Sequence, residues 1–254
     1  MKPFLRGRSG IGLCLCLVVG VCALFLSGCT LFRLFQFKSQ LTRLDKHFVF
    51  EKSPGGPAIR GLKPLLMPED ILLLSNDTRP SSVSNDGGKT VWQYIQRKVY
   101  KDKHHISEIG KDLRFTLEFN TKNLLERCYY PVQFSNLFSP EFVPYMLETM
   151  GNAQIEGTNL VAKESKPIQK QWVPDQDRVI QALGEPYETL VSKNVTILAY
   201  RYEVEQTVRP TKPIQTWIQV QVQQGKVVVI KGNVFGGEMT LNLASVDSDQ
   251  QRKK

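Results

Sequence analysis

One spacing recurs along this chain and limits what it can fold into. Pro68 and Pro174, Pro80 and Pro186, and Tyr94 and Tyr200 each stand 106 residues apart. A shared offset of that length means that one supersecondary unit is written twice. In the first copy Met67-Pro68-Glu69-Asp70 opens the apolar stretch Ile71 to Leu74, which reaches a break at Arg79-Pro80. In the second, Val173-Pro174-Asp175 opens a stretch carrying Val179, Ile180 and Leu183, which stops at Gly184-Glu185-Pro186. Proline near the start, acids in the first turn and a Gly or Pro stop are the punctuation of a short helix.

Each predicted helix leads through a polar loop into a stretch of period two. Trp92, Tyr94 and Gln96 alternate in the first copy, and Leu198, Tyr200 and Tyr202 in the second, so both read as strands with one aromatic face. Next come Leu113, Phe115, Leu117 and Phe119, which turn at Asn120 to Asn123 into Leu124 to Tyr130. The counterpart is Ile214, Thr216, Ile218, Val220 and Val222, turning at Gln223-Gln224-Gly225-Lys226 into Val227 to Ile230. Here the offset is 103, from Leu124 to Val227, because the first copy has the longer hairpin loop, with Lys101, Lys103, His104 and His105. Between the copies Ser139-Pro140-Glu141 is an N-cap pattern for a helix through Met150, stopping at Gly151-Asn152. The expected fold class is α+β, with one helix-plus-antiparallel-sheet unit over 62–138, a second over 139–235 and a polar tail over 236–254, frayed from Asp247.

The Leu183-Gly184-Glu185-Pro186 stop after Asp177, the strand holding Tyr200 and the hairpin to Ile230 together resemble the SmpA/OmlA, or BamE-like, family of small lipoproteins. The tandem arrangement is also similar to the two-repeat β-lactamase inhibitory proteins. The first copy departs from the pattern, with Asp77-Thr78 where Leu183-Gly184 would stand. The first resemblance implies work in outer-membrane protein assembly or envelope maintenance, with an envelope protein as partner. The second implies an inhibitor or ligand-binding module with a concave face.

The N-terminus bears on the compartment. Lys2, Arg6 and Arg8 precede an apolar run from Ile11 to Leu26, the layout of a secretory signal peptide over 1–28. It closes with Leu26-Ser27-Gly28-Cys29, which resembles the bacterial lipobox. That resemblance implies cleavage between Gly28 and Cys29, a covalent lipid on Cys29 as the chain's membrane contact, and a mature chain outside the cytoplasm. The alternative is an uncleaved anchor, since about 18 to 20 apolar residues can span a bilayer. Thr30 follows the cysteine, where Asp serves some bacteria as an inner-membrane retention signal, so the expected location is the outer membrane, facing the periplasm. The segment 29–61 then reads as membrane-proximal. In it Leu31, Leu34, Phe35, Leu41 and Leu44 recur at helical spacing among Arg33, Lys38 and Arg43. Such a helix lies on lipid head groups or packs on the domain.

Cys14, Cys16 and Cys22 leave with the signal peptide and Cys29 takes lipid, so Cys128 stands alone and no disulfide staples the mature chain. Its apolar, aromatic surroundings favour a buried, inert thiol. Loss of Lys2, Arg6 and Arg8 lowers the formal charge from +9 to +6. That surplus suits anionic surfaces, and nucleic acid is a poor partner outside the cytoplasm.

The common hydrolase, nucleotide and zinc-protease signatures do not occur in the sequence, and no cofactor or metal is expected. Of the three histidines, His104 and His105 are adjacent in a lysine-rich loop, and His47 has no ligand-type neighbour at metal spacing. Glu69 and Asp70 have an electrostatic reason to open a helix without being an acid/base pair. The expected activity is therefore binding, not catalysis, with any small-molecule ligand unspecified. Trp92, Tyr94, Tyr200, Tyr202 and Trp217 are the candidate interface residues if the sheets have an open aromatic face, and core residues if they pack against the helices.

Overall fold

The computed structural model describes residues 30–101, 110–152, 154–156, 159–161, 168–206, 214–234 and 237–243. It is an α+β structure built on one eleven-stranded antiparallel sheet. Helix α1 covers 30–41 and is followed by the single turn α2 (Leu44–His47). The hairpin β1 (Phe48–Ser53) and β2 (Gly56–Gly61) leads to α3 (Pro68–Leu74), then β3 (Ser82–Asp86), β4 (Lys89–Val99), β5 (Leu113–Phe119) and β6 (Leu125–Tyr129). Helices α4 (Val132–Leu137) and α5 (Phe142–Asn152) and the small pair β7 (Gln154–Glu156) and β8 (Asn159–Val161) come next. Then α6 (Gln176–Leu183) precedes β9 (Glu188–Ser192), β10 (Val195–Val204), β11 (Gln215–Gln223), β12 (Lys226–Val234) and β13 (Gly237–Asn242). The sheet order is β1-β2-β6-β5-β4-β10-β11-β12-β13, with β3 on β4 and β9 on β10.

Strand alternation decides which face the helices cover. On β10, Leu198, Tyr200, Tyr202 and Val204 are buried, and on β11 Thr216, Ile218, Val220 and Val222 are buried, while the residues between them point the other way. Leu137, Phe138, Phe142, Tyr145, Val179 and Leu183, from α4 to α6 and the segment between, close over this face. A smaller cluster of Trp92, Tyr94, Leu117 and Phe119 lies under Ile71 and Leu72 of α3. Trp92 meets Phe119 edge-on at 5.2 Å. Burying one such aromatic side chain stabilises by roughly 1.5–3 kcal/mol, so these two layers supply most of the driving force.

The succession α3-β3-β4-β5-β6 recurs as α6-β9-β10-β11-β12, and its registers recur with it. Ser82 faces Gln93 and Glu188 faces Ala199, a shift of 106 on both strands. Trp92 faces Leu117 and Leu198 faces Val220. The ladder is interrupted between Glu118 and Phe119, and again 103 residues on between Gln221 and Val222. On the fourth strand the shift is 102, since Cys128 faces Leu117 and Ile230 faces Val220. The expected 103 there is one too many because the second turn is a residue shorter. Where the two runs meet, β4 pairs with β10 so that Arg97 faces Glu203, 106 positions on, flanked by Gln96 facing Val204 and Lys98 facing Tyr202.

The two helix stops use different chemistry. Asp175 caps α6 by accepting the Arg178 N–H at 2.8 Å, and Gly184 ends it at φ 74°, a left-handed conformation that glycine adopts without strain. After α3 the left-handed residues are Asn76 and Asp77, at φ 50° and 56°. These are the non-glycine types that tolerate the region best, which is why α3 ends without a glycine.

Several segments differ from the sequence-based expectation. The stretch to Gly61, expected only as a membrane-proximal segment, supplies β1 and β2, which extend the sheet through β6. The polar loops before the aromatic strands contain β3 and β9, and the stretch from Gly236 contains β13, paired to β12. Ser139 does not cap α5 with its hydroxyl; its carbonyl accepts the Phe142 N–H at 3.0 Å. The signal segment, Gly28, Cys29, Lys103, His104, His105, Phe235 and the tail from Asp247 lie outside the described residues.

Candidate interaction face

The side of the sheet away from the helices extends across both runs of strands and mixes charged and amide side chains with apolar ones such as Val91, Ile95 and Ile197. At one end it carries an ion-pair ladder over four strands. Glu51 of β1 accepts from Arg60 of β2 and from Arg127 of β6 at 3.2 Å, and Arg127 also donates to Glu118 of β5 at 2.9 Å. The Arg60 hydrogen bond is the main cause that holds the Glu51 carboxyl below its ordinary range. At the centre Arg97 donates to Asp112 at 2.6 Å and to Glu205 at 2.7 Å, and these hydrogen bonds raise its already high pKa. Lys101, beyond it, donates to Glu188 at 2.9 Å, which raises the lysine and lowers the carboxylate. The exposed Arg97–Glu205 and Lys101–Glu188 pairs contribute little stability, and the partly buried ladder and these pairs alike fix side chains that would otherwise be free.

At the other end the charge gives way to amides around one aromatic ring. Gln215, Trp217, Gln219, Gln221 and Gln223 alternate along this face of β11. Trp217 is half-buried, with Arg201 of β10 directly opposite on one side and Asn233 of β12 on the other. The Arg201 guanidinium stands 4.3 Å from the Tyr187 ring centroid, a cation–π contact that orients it. Amide and guanidinium groups beside a partly open indole offer hydrogen bonds and apolar contact together, the mixture found at protein-binding surfaces.

Of the five aromatics singled out from the sequence, only Trp217 is on this face. Trp92, Tyr94, Tyr200 and Tyr202 are buried under the helices, so the reading of these four as an interface is corrected. Trp217 differs because its odd position on β11 puts it opposite to Thr216 and Ile218. Burial pushes the Tyr94 hydroxyl up to about 12 and raises Tyr200 and Tyr202 still further. Cys128, on β6, is half-buried with its thiol desolvated and pushed up to about 12. His47 is half-buried, Glu69 exposed and Asp70 buried. No group of three His, Cys, Asp or Glu suited to a metal occurs among the described residues.

Sequence reasoning did not single out Lys98. It is 7% exposed on the core side of β4, in line with Trp92, Tyr94 and Gln96, so the alternation itself was the available signal. Its ammonium donates to the Leu183 carbonyl at 2.7 Å and lies 4.7 Å from the Tyr100 ring and 5.6 Å from the Tyr200 ring. A helix C-terminus and two π faces are partners that a buried cation can use. Lys98 thereby ties α6 to the preceding run of strands. Between α4 and α6 an open polar groove of about 410 Å³ is lined by Ser135, Asn136, Arg178, Gln181 and Ala182. No helix among the described residues is long and apolar enough to cross a membrane. No protein-family model, no curated protein and no solved structure matches this chain.

Proposed function

We propose that this chain is a lipoprotein of the bacterial envelope, anchored through lipid on Cys29 to the outer membrane and facing the periplasm, which acts by binding an envelope protein rather than by catalysis. The observation that carries the binding role is the continuous open face from β1 to β13, with side chains held by ion pairs at one end and a half-open Trp217 at the other. An extended face of this kind suits a protein surface better than a small molecule, which needs a concave site. The anchor rests on the Leu26-Ser27-Gly28-Cys29 motif and the apolar run before it.

The chain also reads as two related units. Support comes from the recurring registers, the ladder interruption repeated 103 residues on, and the junction at which Arg97 faces its own counterpart Glu203. A residue paired with its own equivalent is the signature of an isologous, two-fold contact. A unit that once paired edge-to-edge with its own copy, then was joined to it in one chain, accounts for that junction.

Photocrosslinking in the bacterial envelope tests the binding face. A photoreactive residue at exposed Gln93 or Gln219 on the open face is expected to capture a common protein, and one at exposed Asp177 on α6 is not. Capture from Asp177 alone would move the binding site to the helix side. Mass spectrometry of the mature N-terminus, wild type against Cys29→Ala, tests the anchor separately.

A further inference from the structure

Helix α1 is amphipathic in an unusual way. Its inner side, with Phe37 and Leu41, packs on the protein: Phe37 meets Phe48 edge-on at 6.0 Å and Leu41 is buried. Arg33 grips buried Asp70 of α3 through two hydrogen bonds of 2.8 Å. The outer side should then be polar, as on an ordinary surface helix. Instead Leu31 is 55% exposed and Phe32 and Phe35 are 61% exposed. Further along the same side of α1 the exposed residues are Gln36 and Ser39, and past its end Arg43, Asp45 and Lys46 are exposed. Apolar exposure is confined to the end of the helix that adjoins Cys29.

We propose that this end of α1 is a lipid-contacting surface: Leu31, Phe32 and Phe35 insert into the head-group and upper acyl region of the leaflet that holds the Cys29 lipid. The inference rests on the anchor reading above. Its physical basis is reach. Phe35 lies about 7.5 Å along the helix axis from Thr30, and Thr30 is bonded to Cys29. An amphipathic helix sinks roughly 5–10 Å into the interface, so side chains this close to a lipidated residue cannot stand clear of it. The change from Phe to Gln and Ser along the outer side then follows depth. The Arg33–Asp70 pair fixes the helix to the domain, so inserting its end also sets how the whole sheet stands on the membrane.

The test uses the full chain, processed in a bacterial host and reconstituted in phosphatidylethanolamine–phosphatidylglycerol vesicles carrying lipids brominated along the acyl chains. Tryptophan is introduced by Phe32→Trp, Phe35→Trp or Ser39→Trp, and the wild-type signal of the three native tryptophans is subtracted. All three sites are exposed, so folding is spared. Emission from Phe32→Trp and Phe35→Trp should fall at least about twofold with brominated lipid, and that from Ser39→Trp much less. Equal or absent quenching at the three positions would overturn the inference. Mass spectrometry of the same sample separates the two readings: a lipidated Cys29 with unquenched Phe35→Trp sinks the insertion alone. An unlipidated N-terminus sinks the anchor and the inference resting on it.

Discussion

Gly151 offers a substitution whose sign, not merely its size, tests how α1 is held. The sequence marks it as a helix stop, yet it lies inside the last turn of α5, buried, with no left-handed φ. As an ordinary helical position, Gly151→Ala should stabilise by up to about 1 kcal/mol through helix propensity. The structure opposes this. A Cβ there would come within 2.8 Å of the Leu41 carbonyl carbon, 2.8 Å of its Cβ and 2.8 Å of the Thr42 nitrogen. Comfortable carbon contacts begin at about 3.5 Å, so the end of α1 must lift by roughly 0.7 Å or more. Two of those three atoms are main chain, and no rotamer change relieves them. Overpacking costs about 1–3 kcal/mol, and three contacts at 2.8 Å, two of them to main chain, put this one at about 2–3 kcal/mol, so that after the propensity gain the net loss is about 1–2 kcal/mol. In thermal unfolding followed by circular dichroism that is a Tm lower by roughly 2–8 °C for a chain of this size. Protease cleavage near Thr42 and Arg43 should rise in parallel. A Tm raised by about 2–4 °C would show that propensity wins and that α1 does not press on α5.

Two further substitutions test other contacts. Asp70→Asn keeps the shape but removes the charge that Arg33 grips, and should cost about 2–3 kcal/mol in urea unfolding, discounted because Arg33 is partly exposed. The asparagine can still accept the Met67 N–H that Asp70 accepts at 2.8 Å, so adding Arg33→Met to Asp70→Asn should cost little more, and fully additive losses would refute the ion-pair account. Cys128 bears on alkaline stability. Its thiol ionises near 9.0 when free and is pushed up to about 12 in the fold, so its contribution is intact below pH 9 and is lost as pH rises toward 12. Cys128→Val should therefore flatten the fall in unfolding free energy between pH 9 and 10, by up to about 1.4 kcal/mol per pH unit. Parallel curves for wild type and variant would show that the thiol is not desolvated.

What the sequence revealed and what it hid follow from the size of each signal. The aromatic strands were legible because long alternation around Tyr94 and Tyr200 leaves one consistent register. Both helices after Pro68 and Pro174 were legible from their punctuation. The strands β3 and β9 were not, since Ser-Val-Ser-Asn-Asp and Glu-Thr-Leu-Val-Ser are short and mostly exposed, and pairing with β4 and β10 holds them in place. The β1–β2 hairpin was obscured by the helical spacing just before it, although Pro54-Gly55-Gly56 is a turn signal. For the candidate face, Trp217 was picked out with four residues that proved to be core. Parity along β11 separates it from Thr216 and Ile218, but which parity faces the helices depends on how the strands assemble.

The proposed face and the proposed lipid contact constrain each other. Helix α1 rests on α3 through Arg33 and on α5 at Gly151, and α3 covers Trp92, Tyr94, Leu117 and Phe119 of the sheet. Helix α1 also meets the sheet directly, with Phe37 against Phe48 of β1 at 6.0 Å, so it belongs to the layer that covers the sheet, on the side opposite to Gln93, Arg97 and Gln219. Lipid met by α1 lies on the covered side, and the open face looks away from it. The layer of helices, α1 among them, separates that face from the lipid contact. A partner flush with the bilayer could not reach Trp217. The partner that both proposals allow is one whose binding surface stands out into the periplasm, such as a soluble domain or a long loop, with polar groups to meet the amides and the Arg201 guanidinium around Trp217.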